Sequence, residues 1–96
     1  MVHISEELKA AKAAKAAINA LAATPKSAVL PTLKKANNAA ILNLSSGGAL
    51  NEARAKVGIA LSNLIHGHGP PTPLSIDRAK SVIEAWIREL EASPTA

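Results

Sequence analysis

A chain of 96 residues with a net charge of +4, a pI near 9.8 and no cysteine has room for one small domain, but not for a disulfide framework, a thiolate metal site or a cysteine nucleophile. About a fifth of the residues are alanine and Trp86 is the only aromatic, so bulky core side chains are few despite a hydrophobic fraction of 48%. No apolar run approaches the ~20 residues of a membrane span and the start lacks signal-peptide character, so a soluble, cytoplasmic, single-domain protein is expected.

At ~100° per residue, Leu8, Ala11, Ala14, Ile18, Leu21 and Ala22 share one face, which predicts an amphipathic first helix over about 5–23. Lys9, Lys12 and Lys15 form a basic stripe beside that face, and Glu6 and Glu7 read as a first-turn match to the helix dipole. Thr24-Pro25 reads as a cap with proline at the first helical position, and Pro31 as a second break, placing a bend at 24–31. A second helix is expected over 32–44, with Leu33, Ala36, Ala40 and Leu44 inward.

The breaker Ser45-Ser46-Gly47-Gly48 then opens a third helix over 49–66, with Leu50, Ala53, Val57, Leu61, Leu64 and Ile65 on its inner face and Gly67 as its C-terminal cap. After the loop GHGPPTP, Ser75 is the expected cap of a last helix over 75–92, with Asp77 in its first turn. Ile76, Ala79, Val82, Ile83, Trp86, Ile87 and Leu90 make its stripe, the strongest apolar one in the chain. No stretch alternates with a period of two, so the expected fold is all-α: a small helical bundle built on an antiparallel hairpin across 45–48.

An alanine contact face gains much less per position than the ~1.5–3 kcal/mol of a buried Leu or Ile, so the first helix must pack closely against neighbours that supply bulk, the last helix above all. Ile59 projects about 170° from the centre of its helix's apolar face, and Ile41 and Leu42 also point away from theirs. These three predict a second apolar surface, and with the alanine-rich faces they suggest a homo-oligomer.

Candidate sites follow from charge and turn chemistry. Ser46, Gly47 and Gly48 lead into a helix N-terminus, where free amides and the dipole favour an anion, although any helical hairpin needs such a turn. Lys12, Lys15, Arg54 and Lys56 complete the candidate anion-binding set, and Ile41, Leu42 and Ile59 the candidate interface. Asn37, Asn38 and Asn43 surround the apolar side of the second helix, where an amide is costly to bury without a partner. His66 and His68 are read as a helix-end charge and a loop residue; no third ligand stands at telling spacing, so neither metal nor cofactor is expected. No nucleophile and base are organised together, and the chain is read as a non-enzyme.

The run ARAKVGIALSNLI, residues 53–65, resembles the second arm of the helical hairpin in small phage anti-defence proteins that sequester cyclic nucleotide signals as oligomers. The resemblance is confined to this run and lacks that family's aromatic and glutamine positions. It implies that Arg54 would match a phosphate-facing arginine, with Lys56 nearby. Three functions are therefore carried forward: docking on a protein partner, as an interaction or inhibitor protein; sequestration of a phosphate-bearing small ligand between protomers; and, least favoured because one tryptophan makes no stacking platform, nucleic-acid binding.

Overall fold

The computed structural model describes residues 4–21, 23–44, 48–67 and 72–92, all of them in four helices or the segments that flank them. They are α1 (Ile4–Ala20), α2 (Lys26–Leu42), α3 (Ala49–His66) and α4 (Pro73–Ala92), and the described residues contain no strand. None of these helices is long and apolar enough to cross a membrane.

α1 ends earlier than its apolar pattern suggests. Leu21 donates to the Ile18 carbonyl at 3.1 Å and Ala23 to that of Ala20 at 3.0 Å, a tightened last turn, and Pro25 then stops the winding. Pro25 occupies the cap position of α2 rather than its first helical residue, with φ −62° and ψ 147°, so Thr24 is not the cap.

Residues 26–31 of the expected bend are instead the first third of α2, and Pro31 lies inside that helix. A proline at the sixth helical residue removes one hydrogen bond, and the carbonyl facing its ring belongs to Ser27 in the first turn. Val29 and Leu33, four apart and both buried, hold the helix to the core on either side of Pro31, and packing outweighs the local break. Leu44, expected to face inward, lies beyond the end of α2 and is exposed.

α4 starts two residues before its expected cap. Thr72 holds the cap position: its Oγ1 accepts from the Ser75 amide at 3.1 Å, and the Ser75 hydroxyl donates to the Thr72 carbonyl at 2.9 Å. Pro73 follows at the first helical position, where its missing N–H costs nothing, and Asp77 falls outside the first turn. α3 matches its expected span and is preceded by Gly48 at φ +97° and ψ 161°, backbone that only glycine adopts without strain. Gly67 caps α3 in extended geometry, not left-handed; a Cβ there would meet the Asn63 carbonyl oxygen at 2.8 Å. Ser45, Ser46, Gly47, His68 and the prolines 70 and 71 lie outside the described residues.

The helices close into a ring in which α1 packs on α2 and α4, and α3 on the same two; the backbones of the diagonal pairs stay apart. Lys26 Nζ donates to the Gly67 carbonyl at 2.8 Å, tying the start of α2 to the end of α3. Ala11, Ala14, Ala17 and Ile18 are buried on α1, while Trp86, Ile83, Ile87 and Leu90 of α4 and Leu33 of α2 supply the bulk. The thin helix is thus covered within one chain, and its alanine face does not require a second copy.

Candidate functional site

Three of the four helices contribute side chains to one buried polar cluster, and the fourth contributes a backbone carbonyl. Glu7 on α1 is 0% exposed, and its carboxylate accepts from Arg54 Nε and Nη2 on α3, both at 2.7 Å, in the two-pronged geometry that fits guanidinium to carboxylate. Trp86 Nε1 on α4 donates to the same carboxylate at 2.7 Å. Arg54 Nη1 donates to the carbonyl of Asn43, the residue capping α2, at 2.8 Å.

This cluster crosses the diagonal that the backbones leave open. A cation at the end of α2 also satisfies one of the carbonyls a helix terminus leaves unpaired, where the helix dipole favours positive charge. Sequence reasoning treated Glu7 as a dipole match and missed the pairing, although the signal was present. Glu7 precedes Ala11, Ala14 and Ile18 at spacings of four, seven and eleven, and Arg54 precedes Val57 and Leu61 at three and seven, so each lies on the apolar stripe of its helix.

The residues proposed for an anion do not converge. Arg54 is buried with all three guanidinium nitrogens engaged inside the chain. Lys12 is exposed on α1 and lies 3.7 Å from Glu91 on α4, a solvated pair that contributes little. Lys15 is half-buried on α1, and Lys56 is exposed on α3, which α1 does not pack against. Of the turn, only Gly48 is described; Ser46 and Gly47 are not.

Two of the residues proposed for an interface do converge. Ile41 of α2 and Ile59 of α3 line one open groove of about 550 Å³, with Leu44, Ala55 and Gly58. Ile59 is 66% exposed, and Ile41 and Leu44 are also exposed. Gly58 forms part of the floor: a Cβ there would sit 3.5 Å from Ile41 Cγ1 and 3.8 Å from Asn37 Oδ1. Leu42 is 74% exposed and outside this lining. On its other side, Ile59 borders a smaller cleft with Lys56 and Arg78, so it stands as a ridge between two depressions.

The asparagines divide by position. Asn43 Nδ2 donates to the Ala39 carbonyl at 2.7 Å within the α2 end, and Asn38 is exposed. Asn37 Oδ1 is buried and accepts no hydrogen bond. His66 is exposed in the last turn of α3, and the described residues contain no group of His, Cys, Asp and Glu able to hold a metal. Among the described residues the only fully buried carboxylate is Glu7, sealed by Arg54 and Trp86 and out of reach of a substrate. No known protein family matches this chain, and neither a curated protein nor a solved structure matches it.

Proposed function

We propose that the chain is a non-catalytic helical binding protein that docks on a protein partner through the α2–α3 face, with Ile41 and Ile59 at the centre of contact and Leu42 at its edge. The observation that carries this reading is the shared groove of about 550 Å³, which gathers exposed apolar side chains from two helices around a glycine floor. Burying Ile59 and Ile41 together would contribute a few kcal/mol, at ~1.5–3 kcal/mol per fully buried aliphatic side chain.

Sequestration of a phosphate-bearing ligand has less support, because Arg54 would first have to abandon Glu7 in the interior. The test is a photo-reactive amino acid placed at Ser62, which lines the groove, followed by irradiation in the native cell and mass analysis of the adduct. A polypeptide adduct that disappears with Ile59→Asp is expected. Irradiation that yields no polypeptide adduct refutes the docking role.

A further inference from the structure

Charge is split unevenly around the ring. α2 and α3 carry five Lys and Arg residues and one acid, Glu52, whereas α1 and α4 carry six basic and six acidic residues. These two helices thus carry a formal +4, of which Arg54 is buried against Glu7; Lys26, Lys34, Lys35 and Lys56 against Glu52 leave a net +3 outside that pair. Their one acid lies in the first turn of α3, where the helix dipole accommodates it.

Three exposed cations lie around the apolar groove, outside its own lining. Lys34 lies two turns before Ile41 on the same face of α2, and Lys56 and Arg78 line the cleft on the far side of the Ile59 ridge. A channel between two packed helices, with a side-chain ridge beside it, fits the apolar stripe of a third helix. Two copies of this face brought together about a two-fold axis would set one cationic margin against another, and like charges oppose that contact.

On the docking reading above, we infer that the occupant is an amphipathic helix of another protein, apolar along one stripe and acidic along its flanks. The apolar stripe fills the α2–α3 groove beside Ile59, and the acidic flanks meet Lys34 on one side and Lys56 with Arg78 on the other.

The experiment uses two synthetic helical peptides with the same leucine stripe, one flanked by glutamates and the other by lysines, titrated into the whole chain. Binding is followed by peptide anisotropy and by the methyl resonances of Ile41 and Ile59. The glutamate peptide is expected to bind at least about tenfold more tightly, with a preference that shrinks as salt is raised. Ile59→Asp removes binding of both peptides, and Lys56→Glu with Arg78→Glu reverses the preference; all three positions are exposed, and circular dichroism checks that each variant is folded.

Equal binding of the two peptides, or self-association through Ile59 in place of peptide binding, overturns the acidic-helix inference. If neither peptide binds while the Ser62 probe still captures a protein, this inference falls and the docking reading stands. If the probe is also empty, both fall.

Discussion

Replacing Arg54 by methionine keeps most of the side-chain volume and removes the cation, which leaves the Glu7 carboxylate in the interior with the Trp86 Nε1 donor. Breaking a buried ion pair from one side costs about 3–5 kcal/mol, a large part of the ~5–15 kcal/mol that holds a domain together. At a denaturant slope of ~1–2 kcal/mol per M, the urea midpoint falls by about 2 M or more. With no tyrosine or phenylalanine in the chain, intrinsic fluorescence comes from Trp86 alone and reports directly on this cluster.

The double variant Glu7→Leu, Arg54→Met removes both charges. It leaves Trp86 Nε1 and the Asn43 carbonyl without these partners, at about 1–3 kcal/mol for each polar group that stays buried and unmet. The double variant is therefore expected to be more stable than the sum of the two single losses predicts, by about 2 kcal/mol or more. An Arg54→Met loss below about 1 kcal/mol, or strict additivity in the cycle, would refute the assignment of Arg54 to the interior.

Two glycines predict opposite signs in thermal melts. Gly58→Ala places a Cβ 3.5 Å from Ile41 Cγ1, an ordinary contact, and gains up to about 1 kcal/mol of helix propensity; Gly67→Ala drives its Cβ to 2.8 Å from a backbone oxygen and loses about 1–3 kcal/mol. Shifts of the same sign would contradict the local geometry. Thr72→Ala removes the bond to the Ser75 amide and lowers stability by about 1 kcal/mol, whereas Thr72→Asn retains a capping oxygen; equal melts for the two would show that the cap is made elsewhere.

Helical periodicity made the inner faces legible. Ala11, Ala14 and Ile18, Leu33 and Ala36, Val57 and Leu61, and Ile83 and Trp86 are buried as their spacing implies, because one apolar stripe per helix has one place to go in a ring. The helix starts were less legible, because the local preferences of proline and serine give way to packing and to neighbouring caps. At Pro31 the burial of Val29 and Leu33 overrides the break, and at Thr72-Pro73 a cap with proline behind it stands three residues before the serine that resembles one.

The polar cluster was hidden for a different reason. Glu7 and Arg54 are 47 residues apart and lie on helices that do not pack together, so no local rule links them. What does link them is that each charge interrupts an apolar stripe, and a charge that must be buried needs an opposite one. Ile41 and Ile59 were legible as surplus apolar residues, whereas their convergence on one groove required the antiparallel register of α2 and α3.

The most direct test is native mass spectrometry of the protein purified from the cells that make it, beside its Ile59→Asp variant. The docking role predicts that the wild-type chain carries an additional polypeptide mass and that the variant does not. A nucleotide-sized passenger that persists in the variant would contradict it.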